Sequence, residues 1–498
     1  MTRFCLALLA ALCGQPDQPV DVGAQTQLFA DDLIVARQSG VTRVLGAVVK
    51  SRAGQKIAFW RSGADGRPRP MAVWQLFHTV YHDEARRRFR MWCRGLADEE
   101  AYAADGSVIW DRVAYIYCES ADGENFHFVA KLEGLHSNGD YNLVVTIDEH
   151  DPDPAHRYLI GYDGARPGLP NGACLAHSAD GIHFTPYNGG NPVTGRAADF
   201  SNQVFFDEQA GLYRLFTRTD FGAPGGVDER RGVRMMTSPN FKRDPANWQT
   251  VRSWQFDREG PEEWKRRQPY MMTDWVHRGV HFALLSVYEW PVDYSEGTQT
   301  DHFTRHERDI NNFYIATSRD ADQWDFQWVY ESRPFVPRGG NGAWDKDLLF
   351  PSSRILTLGD EHWVYYGGCN ERHGTPGVFL PKREPGIGLA KLKLDRFIGL
   401  RAGEAEGLVV TRPFVLTGGR LQVNVDAAHG ELKVGLLDQN FAPLPGFSLN
   451  EAHGYRGVDE LRLEPRWKEA SSLEAIKGRE IRLVFALRSA ALYAFQVR

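Results

Sequence analysis

One phrase recurs along this chain and restricts its fold more than any other feature. It reads Cys118-Glu-Ser-Ala-Asp-Gly-Glu-Asn-Phe126, His177-Ser-Ala-Asp-Gly-Ile-His-Phe184, Thr237-Ser-Pro-Asn-Phe241 and Thr317-Ser-Arg-Asp-Ala-Asp-Gln-Trp324. Each copy follows a short β-rich run, so Ser120, Ser178, Ser238 and Ser318 close comparable segments. Four strands and their turns occupy roughly 40 to 50 residues, and repeats of that size with variable insertions predict a β-propeller. Function is then sought where the blades converge. The aspartates of the phrase are read as corner-builders.

Aligning the first hairpin of each segment counts the blades. Phe77–Asp83 leads to Phe89–Trp92, Asn142–Asp148 to Tyr158–Ile160, and Asn202–Asp207 to Tyr213–Phe216. Tyr270–Trp275 leads to Phe282–Leu285, and Leu348–Phe350 passes through Gly359 and Asp360 to Trp363–Tyr366. Asp83, Asp148 and Asp207 are turn formers between such strands. Longer insertions separate second from third strands, at Arg94 to Asp111, Tyr162 to Asn171, Thr219 to Arg231, Glu289 to Asn311 and Asn370 to Pro385. Loops of that size on one face serve binding. After Gly407 the pattern becomes cleanly alternating, as in Leu421–Val425, Leu432–Leu437 and Ile481–Phe485, which suits half-buried antiparallel strands. The predicted fold class is all-β: a five-bladed β-propeller over 25–403, followed by a C-terminal β-sandwich over 407–498. Leu28–Val35 is predicted as a strand that closes the ring or packs on its side.

Composition narrows the function. Among 498 residues there are 14 Trp, 18 Tyr and 28 Phe, with 49 Gly and 26 Pro, which fits many short strands and supplies flat rings on which sugars stack. A net charge of -6 with interspersed signs gives no case for nucleic acid or an anionic membrane as partner. Met1-Thr-Arg3 and the apolar run Phe4–Leu12 read as a signal peptide over 1–24, too short to span a bilayer, and predict export to the periplasm or beyond. Cys93, Cys118, Cys174 and Cys369 lack the paired spacing of a zinc site, His302 and His306 lack the Glu of a metalloprotease motif, and no cofactor or metal is expected. There is no nucleophile elbow, Walker loop or dinucleotide fingerprint.

Polar residues just ahead of each inner strand converge on a central funnel. They are Gln75 and His78, Asp140 and Asn142, Asp199 and Asn202, Gln268 and Asp274, and Asp345 and Asp347. Several carboxylates facing one pocket are what glycosidic hydrolysis needs: one protonates the leaving oxygen, a second activates water or attacks carbon, and a third tunes the acid by repulsion. Asp140, Asp199, Glu289 and Asp345 are the expected catalytic set. Alternation puts Asp345 and Asp347 on one side, with Trp344 beside them as a stacking ring. Arg94, Arg218, Asn202, Asp347, His373, Gln75 and His78 join Trp344 as expected substrate contacts.

The Phe29-Ala-Asp-Asp-Leu-Ile34 opening, the Ser-x-Asp-Gly corners, Gly342-Ala-Trp-Asp-Lys-Asp347 followed by Tyr365-Tyr-Gly-Gly368, and the tail Ala491-Leu-Tyr-Ala-Phe495 resemble a bacterial family of exported proteins similar to glycoside hydrolase families 32 and 43. The resemblance covers roughly residues 27 to 498. It implies a five-bladed propeller, an appended sandwich and a funnel holding three acids from separate blades. This chain departs from it in blade one, where Gln75 and His78 stand in place of an Asp-Pro. The predicted function is an exported glycoside hydrolase acting on a poly- or oligosaccharide. Two alternatives fit the same residues: a carbohydrate-binding propeller without catalysis, and a sialidase-like enzyme, which would cluster Arg94, Arg218 and Arg231 around a tyrosine.

Overall fold

The structure is a computed structural model and describes residues 18–135, 143–164, 172–195, 200–223, 228–290, 309–372 and 384–498. The chain divides into two compact units, one of Val48–Leu358 with His362–Lys391, the other of Met1–Ala47, Gly359–Glu361 and Leu392–Arg498.

The larger unit is a succession of antiparallel meanders. The first runs through Thr79–Asp83, Arg88–Gly95, Ala114–Ser120 and Asn125–Lys131. The second uses Leu143–Ile147, Tyr158–Gly164, Gly172–Ser178 and Thr185–Pro186, and the third Gln203–Asp207, Leu212–Phe221, Arg230–Ser238 and Gln249–Trp254. Then come Arg267–His277, Val280–Glu289 and Ile310–Ser318, and finally Leu348–Pro351, Glu361–Cys369 and Gly386–Lys393. Asn311 and Leu348 bridge these last two. Many of the strands are buried on both faces, Val280–Glu289 and Ile310–Ser318 from end to end, which explains why Phe282–Leu285 reads as an apolar run rather than alternation.

Hydrogen bonds join each meander to the next. The Val145 N–H donates to Thr79 Oγ1 at 3.2 Å, Ser201 Oγ donates to the Met272 carbonyl at 3.0 Å, and Ser286 Oγ donates to the Leu349 carbonyl at 3.0 Å. Lys242 Nζ on the third reaches Asp148 on the second at 2.6 Å. The sequence returns to its start: the His78 carbonyl accepts from the Ser353 N–H at 3.1 Å and from Ser352 Oγ at 3.2 Å. A short upstream stretch reinforces that junction, Val49–Lys50 pairing with Gly386–Lys393 and Ala58–Ser62 lying parallel to Asn125–Lys131. Backbones approach closely here. A Cβ at Gly367 would meet the Gln75 carbonyl at 1.7 Å, and one at Gly161 the Asn202 carbonyl at 1.8 Å.

The recurrent phrase folds into one repeated corner. Ser178 Oγ donates to Asp180 Oδ1 and receives the Gly181 N–H, both at 2.9 Å, while Asp180 Oδ1 accepts the N–H groups of Ile182 and His183. Ser120 with Asp122 and Ser318 with Asp320 repeat the pattern. Each corner docks on the preceding meander: Trp92 Nε1 donates to the Gly181 carbonyl at 2.7 Å, Arg214 to the Asp320 carbonyl at 3.1 Å, and Tyr365 of the last meander to the Gly123 carbonyl at 2.8 Å. Partial burial opposes the charge on Asp122 and Asp180, but side-chain donors from Asn125 and His183, together with backbone N–H groups, hold both well below the ordinary carboxylate range.

In the smaller unit ten strands form one sheet, with Leu421–Leu437 pairing first with Ala490–Val497 and then with Glu480–Arg488. Its core gathers Phe29, Val423, Leu436, Phe485 and Phe495. The N-terminal strand expected over Leu28–Val35 is corrected here. Only Gln27–Leu28 and Val35–Ser39 are strands, because Asp31 Oδ1 takes the Leu33 N–H at 2.9 Å and bends the chain between them. Both strands belong to the sheet of the smaller unit, Val35–Ser39 pairing with Gly407–Thr411 and Gln27–Leu28 with Ala490–Val497. Among the described residues no helix is long and apolar enough to cross a membrane.

Candidate functional site

In an antiparallel meander the end at which the first strand begins is also where the second ends and the third begins. At that end Glu289, the last residue of Val280–Glu289, is buried between Arg267 and Ile310 of the strands on either side. Its Oε2 accepts from the Asn312 amide and from Tyr314 Oη, the latter at 2.7 Å. Asn312 Oδ1 in turn accepts Arg338 Nε at 2.9 Å. Arg338 lies 4.0 Å from Asp347 Oδ1, and Lys346 Nζ lies 2.6 Å from Asp347 Oδ2. Glu289 and Asp347, from two neighbouring meanders, therefore sit in one polar chain, with Asp347 between two cations. Burial, then the charge of Glu289, raises the Tyr314 phenol far above its ordinary range, so it remains a donor.

The other expected contacts are distributed differently. Asp345 is buried against Lys50 Nζ at 2.5 Å and Tyr366 Oη at 3.1 Å, partners that Asp347 does not share. The alternation expected for these two fails because the stretch ahead of Leu348 is a run of turns, not a strand. Trp344 is also buried, its Nε1 donating to the Gly54 carbonyl at 2.8 Å and its ring stacked on Tyr366, so it is packing and not an open stacking platform. Asn202 is buried and accepts from Thr217 Oγ1 at 2.7 Å. Arg94 lies over the Tyr115 ring at 5.7 Å. Arg218 is held by Asp220 at 2.6 Å and Glu229 at 2.5 Å. Burial, then repulsion from Arg231, lowers the Arg218 guanidinium from its ordinary value.

Gln75 and His78 are almost wholly enclosed, and among the described residues Gln75 Oε1 and both His78 ring nitrogens have no hydrogen-bond partner. Burial pushes the His78 imidazole down to about 3. Their backbone carbonyls face the last meander, that of Gln75 against Gly367 and that of His78 accepting from Ser352 and Ser353. Asp140, Asp199 and His373 lie outside the described residues, as do Asn142 and the proposed leader over Phe4–Leu12.

No protein-family model matches this chain, and no curated protein matches it. Several solved structures are similar at low level. A glycoside hydrolase shares 11% identity at a TM-score of 0.43, over 69% of this chain and 92% of its own. A thermostable family-43 glycoside hydrolase shares 12% at 0.41, over 64% and 89%. A family-32 β-fructofuranosidase from Bombyx mori shares 10% at 0.37, over 86% and 93%.

Asn312, Tyr314, Arg338 and Lys346 were not foreseen as site residues. For the first two a signal existed: Ile310–Ser318 pairs with Val280–Glu289, so every second residue from Asn312 shares a face with Glu289. Arg338 arrives from a segment with no regular element, and nothing in its spacing pointed to the site. The assembled group offers two carboxylates, a phenol, an amide and two cations. Among the described residues both hydrogen bonds to the Glu289 carboxylate fall on Oε2.

Proposed function

We propose that this protein is an exported glycoside hydrolase. The observation that carries the reading is the chain Glu289–Asn312–Arg338–Asp347, which holds two carboxylates at the end where the strands begin. Hydrolysis of a glycosidic bond needs one carboxyl to protonate the leaving oxygen and a second to activate water or attack the anomeric carbon. In this reading Glu289 Oε1 addresses the glycosidic oxygen, Asp347 supplies the second carboxylate, and Asn312 and Arg338 fix their spacing. Asp140 and Asp199 are the proposed further acids from the second and third segments.

The larger unit is proposed as a five-bladed propeller, supported by the cycle of hydrogen bonds that returns from Ser352 and Ser353 to His78. The C-terminal strands are proposed as a β-sandwich. Export rests on the apolar run Phe4–Leu12. Carbohydrate binding without turnover is the second reading, favoured by the neutral, enclosed Gln75 and His78 where a carboxylate would otherwise come from the first meander.

Release of reducing sugars over a glycan panel tests the proposal. Glu289→Gln and Asp347→Asn are each expected to lower turnover at least about 100-fold, the scale of losing a positioned acid or base. Glycan binding with no turnover on any substrate supports the second reading and overturns the first.

A further inference from the structure

A cavity of about 1030 Å3 lies at the opposite end of the larger unit, where the first strands finish. Every meander contributes to its wall: Tyr81, Val145, Phe205, Trp275 and Arg354 are one residue from each in turn. Earlier on the same strands, Phe77, Tyr270 and Phe350 are buried and pack ring to ring, with centroids 6.2 and 5.5 Å apart. In sequence these rings fall between the cavity residues and the strand beginnings, the end at which Glu289 and Asp347 stand.

Arg354 is the unusual group in this wall. Its guanidinium lies 4.0 Å from the Tyr81 ring centroid, its Nε is shut off from solvent without a hydrogen-bond partner, and among the described residues no carboxylate pairs with it. The cavity's other inner charged groups already have partners, neutral ones in the case of Arg90. Arg90 is tied to Tyr117 at 2.7 Å and Tyr158 at 2.5 Å, Asp148 to Lys242 and Tyr213, and Asp274 to His281 at 2.7 Å. Glu84, Glu149 and Glu208 are exposed at turn tips, where water screens them. A half-buried guanidinium that lines the cavity, lies over a tyrosine ring and has no carboxylate partner is a group suited to bidentate carboxylate binding. The same cavity wall carries a half-buried ring held in place by stacking, Phe205 on Phe216.

We propose that this cavity is a second binding site, independent of the hydrolytic reading, for a small ring-bearing carboxylate. Arg354 takes the carboxylate and the aromatic wall takes the ring face. Two sources share that chemistry, a uronic acid and an aromatic acid, and D-galacturonate and benzoate represent them.

Calorimetric titration of the full-length protein tests the site, with each acid compared against its neutral methyl ester. At least one acid is expected to bind, with its ester at least about tenfold weaker. Arg354→Ala is expected to weaken acid binding at least about tenfold, Arg354→Lys to recover part of it, and Glu289→Gln to leave it unchanged. A response to one acid only supports the site and identifies the source. Binding of neither acid, equal binding of acid and ester, or insensitivity to Arg354→Ala overturns the proposal. The acid-to-ester comparison on the unmodified protein decides the matter even if Arg354→Ala does not fold. Loss of hydrolysis with intact binding, or the reverse, separates this site from the one at Glu289 and Asp347.

Discussion

Asp345 and Asp347 stand two positions apart, yet their carboxylates meet different partners, Lys50 and Tyr366 for the first, Lys346 and Arg338 for the second. Removing one partner of a buried ion pair leaves the other charge uncompensated. Asp345→Ala is therefore expected to lower unfolding free energy by about 3 kcal/mol in denaturant titration while turnover per folded molecule persists. Asp347→Asn is expected instead to remove most of the turnover per folded molecule. Both residues were legible in the sequence as acids beside an inner strand. Their separation was not, because alternation applies to strands and these residues lie in turns. His78 was legible as a polar residue at the first strand, but its enclosure depends on contacts with the last meander, more than 250 residues away, which no local pattern encodes. Its imidazole titrates at about 3 when folded and near the ordinary 6.5 when unfolded. Between those values the unfolded chain binds more protons, so this group removes stability as pH falls. Melting temperature measured from pH 7 to 4 is expected to fall less steeply in His78→Gln than in the parent.

Among elements, the corner phrase is the best-read part of the chain. Its recurrence follows the meanders, and at Ser120, Ser178 and Ser318 its Ser and Asp residues build the corner by hydrogen bonds. What the period could not convey is the second task of each corner, docking on the meander before it through Trp92, Arg214 or Tyr365. Hydrogen bonds lower the folded-state values of Asp122 and Asp180, so their stabilisation is present above the ordinary carboxylate value near 4 and is lost as pH falls through the folded values. Asp180→Asn is expected to reduce stability at neutral pH and to flatten its acid limb, as thermal melts across pH 2 to 6 will read. The glycines that allow neighbouring backbones to meet are equally specific. Gly367→Ala drives a methyl group into the Gln75 carbonyl, and forced backbone shifts of this kind cost about 1–3 kcal/mol. The expected result is a lower midpoint with an unchanged denaturant slope.

At the scale of the whole chain, the sequence pattern changes at Gly407 and suggests a boundary there, whereas the compact units divide at Val48 and Lys391 and return the first strands to the last. Val35–Ser39 with Gly407–Thr411 and Val41–Leu45 with Ile398–Ala402 are pairings over more than 350 residues, invisible to any reading by local periodicity. A fragment of residues 48–391 is expected to unfold cooperatively on heating. A fragment of 25–403 strands Val35–Ser39 without its partner and exposes an unpaired edge, so it is expected to aggregate on light scattering. The central claim, that Glu289 and Asp347 together cleave a glycosidic bond, is tested most directly by single-turnover assay of Glu289→Gln, Asp347→Asn and the double variant on whichever glycan the parent cleaves. The account predicts that each single change abolishes most of the rate and that the double variant is scarcely slower than either. Near-parent turnover in both single variants would contradict it.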